Sequence, residues 1–347
     1  MIREIEFANA ANRIILNLDE MSPDPRSSAA KSMNLIEFFS VGKISPYVHS
    51  VRVGSDFIML YKSTISIIRD REIGVFLDGK FFCDTEAIIR IAENIFHSGT
   101  KMFSIQAACG TEAMKAVSLR MEEMAISKVM NSFFFGDLKL EHSSIPSIRV
   151  PKGMADVINK ALENKDFYQD QVHSAIVEAN KIKPTIVAET IPCSFSEKLC
   201  YSIFGGSSLD RFKKFVTYTK NAGLDGIICP SHILRLLKQK ECLKDLFVIV
   251  PDTVPGWILD WFSVPDKKSN PGRYIKAPRN LIMTPGEAIN AGASAVVLGP
   301  SLTDPPQKKL SFSDVLELTI EEIHSAIKEE QNKGERIRDI KTIIAKR

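Results

Sequence analysis

Short apolar runs rich in β-branched residues recur along the chain and are separated by segments with a different pattern. They predict eight strands, at residues 13–19, 48–54, 73–79, 101–107, 184–190, 224–229, 246–251 and 294–299. Most of these runs are apolar at every position rather than at alternate positions. This pattern is typical of parallel strands that are covered by helices.

The segments between the runs repeat apolar residues at helical spacing. The clearest predicted helices are residues 85–99, 111–130, 209–223, 231–243 and 284–293. Several close on Gly, and the last begins with a Thr N-cap followed by Pro in its first turn. Strand and helix in repeated alternation predict an α/β fold, a (β/α)8 TIM barrel. The alternative is a doubly wound open sheet, but the number of units and the lack of a Gly-rich first turn weigh against it.

The length of the chain adds to this picture. It has 347 residues, whereas a barrel typically needs about 250. We assign the surplus to an insertion after the fourth βα unit at about 131–183, to a long seventh loop at about 252–280, and to the tail. The expected organisation is a single barrel over 1–312 that contains the insertion, followed by a C-terminal helix and charged extension over 313–347.

Composition narrows the class of protein. Lys and Arg number 45 against 42 Asp and Glu, a net charge of +3, which is too near neutral for a general nucleic-acid binder. No apolar run reaches the roughly 18 residues of a membrane span, and the charged N-terminal segment does not resemble a signal peptide. Six cysteines without zinc-site spacing indicate reduced thiols. We therefore expect a cytoplasmic protein whose partner is a small molecule.

Charged residues stand at the ends of several predicted strands, where the active sites of barrels lie. Asp78 and Lys80 are two apart in an extended segment, so both side chains are expected on one face. Asp19 and Arg52 would join them from adjacent strands. Such a cluster keeps Lys80 protonated and able to act as a general acid. A purely structural ion-pair network is the alternative.

The seventh loop is basic and contains Pro and Gly. Its cations are Lys267, Lys268, Arg273, Lys276 and Arg279. A long basic loop at the catalytic face is suited to close over an anion, most simply a phosphate. The alternative is a solvated basic loop without a ligand.

Six segments in this order resemble one known family. They are ILNLDEM (15–21), VRVGSDF (51–57), FLDGKFF (76–82), PCSFSE (192–197), VPDTVPG (250–256) and NLIMTPGEAINAGASAVVLGP (280–300). Together they resemble the orotidine 5′-monophosphate decarboxylase family, over roughly 12–128 and 184–305. Each motif is weak alone, but their order and spacing are fairly specific.

The resemblance implies decarboxylation of orotidine 5′-monophosphate to uridine 5′-monophosphate without a metal or organic cofactor. Lys80 would protonate the ring carbon, and Asp78 would lie against the departing carboxylate. The resemblance also implies a homodimer and a nucleotide monophosphate as ligand. The substrate-binding residues carried over are Asp19, Arg52, Ser194, Pro251, Arg279 and Gly299.

The chain departs from the family pattern at several of these positions. Arg52 stands where the family has Lys, which is not a neutral exchange. Without a gap, Cys83 takes the place of the second catalytic Asp, and Asp84 is the catalytic candidate only if the loop bulges by one residue. Pro300 stands where the family has a phosphate-binding Arg, and Arg279 could supply that cation from the seventh loop.

Two other functions remain open at the sequence level. The first is a sugar-phosphate lyase or aldolase of the same superfamily, of the 3-hexulose-6-phosphate synthase or 3-keto-gulonate-6-phosphate decarboxylase type. These enzymes usually bind magnesium, for which Glu189 or Asp84 could be ligands. The second is a non-catalytic nucleotide-binding barrel, because a fold does not determine a function.

Overall fold

The computed structural model shows a closed barrel of parallel strands. It describes residues 8–18, 34, 36, 48–54, 64–70, 72–134, 176–237, 241–251, 253–259, 263–265, 274–276, 282–299, 302 and 311–345. Strands and helices alternate around the closed barrel. The predicted (β/α)8 TIM barrel is therefore confirmed, and the open doubly wound sheet is excluded.

All of the predicted strands are present within about two residues of their expected bounds. In chain order the strands are β1 Ile14–Asn17, β2 Ser50–Gly54, β3 Val75–Phe81, β4 Met102–Gln106, β5 Thr185–Glu189, β6 Gly226–Ile228, β7 Phe247–Val250, β8 Ser263–Pro265, β9 Tyr274–Lys276 and β10 Ala295–Leu298. The barrel runs β1-β2-β3-β4-β5-β6-β7-β10, and β10 closes it by pairing with β1, for example Ile15 with Val297.

The helices lie between the strands, as the periodicity predicts, except the last one, which follows β10. They are α1 Thr64–Arg69, α2 Thr85–Ser98, α3 Thr111–Phe134, α4 Glu197–Phe204, α5 Ser208–Asn221, α6 Ser231–Leu236, α7 Pro285–Asn290 and α8 Phe312–Ala345. None of the described helices has both the length and the apolar content to cross a bilayer.

Three details differ from the expected helices. The helix expected over 231–243 ends at Leu236, and Glu241–Leu243 forms a separate 3₁₀ turn. The sequence pattern also did not reveal α1 and α4. The latter has ordinary boundary signals, a Ser196 N-cap and a left-handed Gly205 C-cap, but it is too short to show a clear period.

The three surplus segments are described to different extents. Residues 135–175, most of the predicted insertion, lie outside the described residues. The seventh loop contains the antiparallel pair β8 and β9, so it has secondary structure of its own. Its residues 266–273 and 277–281 lie outside the described part. The tail forms a single helix, α8, through Ala345.

Every barrel strand except β2 presents apolar side chains to both of its faces. Val51 and Val53 of β2 and Leu77 of β3 pack outward in the large core beneath the helices. An inner set, here called the interior cluster, fills the barrel and consists of Ile15, Phe76, Met102, Val187, Ile228, Ile249, Ala295 and Val297. This two-sided burial explains why the strands are apolar throughout in sequence.

Candidate functional site

The inward positions at the carboxyl ends of five adjacent strands are polar. In β1, for example, Asn17 comes two residues after Ile15 of the interior cluster. In β3, Asp78 comes two residues after Phe76. We call this set the polar rim; it consists of Asn17, Arg52, Asp78, Ser104, Gln106 and Glu189. Because active sites of barrels lie at this end, the polar rim is the candidate site.

Arg52 connects two neighbouring strands of the polar rim. Its Nε and Nη2 lie 2.6 and 2.5 Å from Asp78 Oδ2, and its Nη1 donates to Asn17 Oδ1 at 2.8 Å. The side chain of Asp78 is 3% exposed and that of Arg52 is 18% exposed. The planar guanidinium contacts both partners at once, with its donors in a fixed fork that the compact ammonium of a lysine lacks.

The other oxygen of Asp78 supports the backbone of Lys80. Ser104 donates its hydroxyl to Asp78 Oδ1 at 2.6 Å, and its Oγ accepts from the Lys80 N–H at 2.9 Å. Asp78 therefore positions the Lys80 main chain through Ser104, while its remaining oxygen is held by Arg52.

The ammonium of Lys80 pairs with an acid from a different strand. Lys80 Nζ lies 3.0 Å from Glu189 Oε1, and Gln106 Nε2 donates to Glu189 Oε2 at 3.3 Å. Glu189 is 3% exposed, whereas the Lys80 side chain is 43% exposed and open to the barrel mouth. An exposed cation on a buried carboxylate is well placed to meet a ligand that enters the mouth.

Opposing effects act on the ionisation of this pair. Burial acts to lower the pKa of Lys80, but the charges of Asp78 and Glu189 outweigh it and raise the pKa above its usual value. Burial raises the pKa of Glu189, although the nearby Lys80 opposes that shift. Lys80 is thus protonated at neutral pH, which a general acid requires.

Asp78 and Lys80 reach the same site for a reason other than the one expected. Lys80 has a φ of 47°, in the left-handed region, and the β3–β4 register shifts between Leu77 and Phe81. Simple alternation along an extended strand therefore does not hold here. A left-handed L-residue costs about 1–2 kcal/mol, and bulges of this kind are frequent beside active sites.

Three of the predicted binding residues lie around the same end of the barrel. Pro251 is half-buried directly after β7. A Cβ on Gly299 would lie 3.6 Å from Asn17 Nδ2, so this glycine adjoins the polar rim. Ser194 is exposed in the turn after β5, which the Phe195 N–H closes on Pro192 O at 3.0 Å.

The remaining predicted residues do not join the polar rim in the described structure. Asp84 is exposed and caps α2, since its Oδ1 accepts from Ala87 N at 2.9 Å. Its catalytic role stays a prediction. Asp19 and Arg279, as well as Pro300, lie outside the described residues.

Sequence reasoning missed most of the residues that surround Lys80. Asn17, Ser104 and Gln106 were not singled out, and Glu189 was considered only as a metal ligand. All four follow an inward apolar residue at a spacing of two or four within a predicted strand. Period-two counting from the interior side chains could have found them.

The acids that the sugar-phosphate alternative would use for magnesium have other partners. Glu189 forms an ion pair with Lys80 and accepts a hydrogen bond from Gln106, and Asp84 caps the N-terminus of α2. Across the described ranges, no group of three or more His, Cys, Asp or Glu side chains could hold a metal ion. The described donors therefore do not fit a magnesium site of that type.

The two ends of the seventh loop are fastened beside the site. Thr253 Oγ1 donates to Val297 O at 3.1 Å, and the Val254 N–H donates to Met283 O at 3.1 Å. Glu322 of α8 then accepts from the N–H groups of Gly256 and Gly286, at 2.8 and 2.9 Å. The loop thus leaves and rejoins the barrel at anchored positions.

Comparison with curated proteins finds similar sequences, several of them named orotidine 5′-phosphate decarboxylase. No protein-family model matches the chain. Orotidine 5′-phosphate decarboxylase of Shewanella sediminis is 28% identical over 130 residues, 37% of this chain and 48% of that protein. The Rhodospirillum rubrum protein of the same name is 30% identical over 128 residues, 36% of this chain and 45% of its own. These matches span about half the length of the relatives.

Longer but weaker similarity extends over nearly the whole barrel. The Moorella thermoacetica orotidine 5′-phosphate decarboxylase is 19% identical over 308 residues, 88% of this chain and 91% of that protein. The crystal structure of the Lactobacillus acidophilus protein of that name superposes with a TM-score of 0.53 at 15% identity, covering 90% of this chain and 98% of that chain. That structural likeness shows the fold alone. In sequence, the chain is a divergent relative of these proteins.

Proposed function

We propose that this protein is a carboxy-lyase that converts orotidine 5′-monophosphate into uridine 5′-monophosphate, a step of pyrimidine biosynthesis. The observation that carries the proposal is the protonated Lys80 at the barrel mouth, 3.0 Å from Glu189 and beside Asp78. The named relatives support the choice of substrate, since the same name recurs among them.

In the proposed reaction, the bond between the pyrimidine ring and its carboxylate breaks and carbon dioxide leaves. The electron pair stays on the ring carbon, which takes a proton from Lys80 Nζ. The neutral amine then regains a proton from water. Asp78, held rigidly by Arg52 and Ser104, presents negative charge beside the substrate carboxylate and favours its departure.

Catalysis of this kind depends on preorganised charge rather than on a metal or organic cofactor. Binding energy from the phosphate end would offset the cost of placing a carboxylate beside Asp78. We assign the phosphate to the seventh loop with Arg279, near Pro251 and Gly299. Ser194 would contact the pyrimidine and Asp19 the ribose. We also propose that the protein is a cytoplasmic homodimer.

The direct test is release of carbon dioxide from orotidine 5′-monophosphate by the purified protein. Replacing Lys80 by Ala should lower kcat by about 10²–10⁴-fold, the usual contribution of a general acid. The matched control is Lys220→Ala, which removes an exposed lysine from the far end of α5 and should leave kcat unchanged.

Two outcomes contradict the proposal. One is a folded wild-type protein that binds uridine 5′-monophosphate, seen by calorimetry, but releases no carbon dioxide. The other is turnover that survives Lys80→Ala. Magnesium-dependent cleavage of a hexulose phosphate would instead favour the sugar-phosphate alternative.

A further inference from the structure

We propose that Glu189 is the positioning acid of the proton donor Lys80. This inference rests on the proposed function and deepens it. It assigns to a residue of β5 the task that the family resemblance of the sequence placed in the segment just after β3.

The first step is the partner of the ammonium. Both oxygens of Asp78 are taken, one by the guanidinium of Arg52 and one by the hydroxyl of Ser104. In the described part of the chain, Lys80 Nζ forms its ion pair with Glu189, at 3.0 Å from Oε1. Asp78 acts on the ammonium through its charge and at longer range.

The second step is the rigidity of Glu189. It is the last residue of β5 and is paired in register with Gln106 of β4 and Ile228 of β6. The next residue, Thr190, is buried and donates its hydroxyl to Ile228 O at 2.7 Å. A carboxylate at the end of a central strand, held by Gln106, can fix the direction of a flexible lysine.

The third step is the balance of charge. Arg52 and Lys80 bring two positive charges into the polar rim, and Asp78 and Glu189 bring two negative charges. Within the described part of this chain, neither residue just after β3 places a second negative charge in the polar rim: Asp84 is exposed and caps α2, and Cys83 carries a thiol. Burial raises the pKa of the Cys83 thiol, so it stays neutral at pH 7.

Together these steps imply two effects of Glu189 on the reaction. Together with Asp78 it keeps Lys80 charged before the substrate arrives, and it holds the ammonium at one place in the mouth. Removing its charge should thus lower the pKa of Lys80 and loosen the geometry of proton transfer. The phosphate end of the substrate, which we assign to the seventh loop, should still bind.

The test compares Glu189→Gln with wild type in kcat, in KM and in the pH dependence of Lys80 labelling by an amine-reactive reagent, mapped by mass spectrometry. Gln keeps the size of the side chain and removes only its charge. We expect kcat to fall by about 10²-fold, KM to change little, and labelling of Lys80 to begin at lower pH. Glu189→Asp should recover part of kcat.

The matched control is Glu241→Gln, which alters a glutamate whose side chain is 84% exposed and should change none of these quantities. Wild-type kcat and unchanged Lys80 labelling in Glu189→Gln would overturn the inference. If wild-type protein fails to decarboxylate orotidine 5′-monophosphate, the proposed function fails, and the labelling still decides whether Glu189 controls Lys80. Circular dichroism of each variant checks that the fold is retained.

Discussion

The polar rim and the interior cluster share the strands β1, β3, β4 and β5, yet they contribute opposite things to the protein. In β3 the change from one to the other takes two residues, from Phe76 to Asp78, and in β5 from Val187 to Glu189. Burying an interior side chain contributes about 1.5–3 kcal/mol to stability. Burying the charged groups costs desolvation that their pairing barely repays. The interior cluster thus stabilises the barrel, and the polar rim makes chemistry possible.

The largest expected effect comes from breaking the buried ion pair of the polar rim. Asp78→Ala leaves Arg52 without its carboxylate and should lower the free energy of unfolding by about 3–5 kcal/mol. It should also remove decarboxylase activity. Urea denaturation and carbon dioxide release measure the two effects.

The double variant Arg52→Met with Asp78→Leu separates stability from function. Replacing both partners by apolar residues of similar size is often neutral or stabilising, so most of the lost stability should return while activity stays absent. A double variant as unstable as Asp78→Ala alone would mean that the polar rim also stabilises the fold.

A smaller effect is expected at the opposite end of the barrel. His49 precedes β2, its ring lies 5.7 Å from that of Phe247, and its backbone carbonyl accepts from Lys101. Burial, with the charge of Lys101, lowers the pKa of His49 from 6.5 to about 4. The unfolded chain therefore binds more protons than the folded protein between these values, and stability should fall as pH drops through that window.

The loss should approach about 3 kcal/mol when the pH reaches the folded pKa and below, since each unit of pKa shift corresponds to about 1.4 kcal/mol. His49→Gln should flatten the stability profile between pH 6.5 and 4, measured by urea denaturation at each pH. The control is His97→Gln, at an exposed position in α2. Equal slopes for wild type and His49→Gln would contradict this assignment.

The smallest effect tests the interior cluster directly. Ile249 is fully buried inside the barrel, and Ile249→Val removes one methylene without any polar atom. It should cost about 0.5–1.5 kcal/mol of stability and leave kcat close to that of wild type. A tenfold change in kcat with this variant would show that the interior cluster also tunes the polar rim.

Prediction from sequence succeeded where a local pattern carries the information. The barrel strands and most helices follow from runs of apolar residues and from caps such as Thr284, whose capping box begins α7. Asp78 and Lys80 were found because they follow an apolar strand. The failures concern contacts between strands. The partner of Lys80 is more than 100 positions away, and the shift in β3 register has no local sequence pattern.

The sequence by itself determined the order of the elements, the parallel barrel and the end at which charged residues collect, because periodicity and apolar runs are local properties of the chain. Only the tertiary structure decided which charges meet. The pairing of β4 with both β3 and β5 places β5 two strands from β3, so Glu189 reaches Lys80. The bulge in β3 turns Lys80 toward Glu189, and the carboxylate of Asp84 caps α2. Ion pairing depends on distances of a few ångströms, which are set by the packing of the whole barrel.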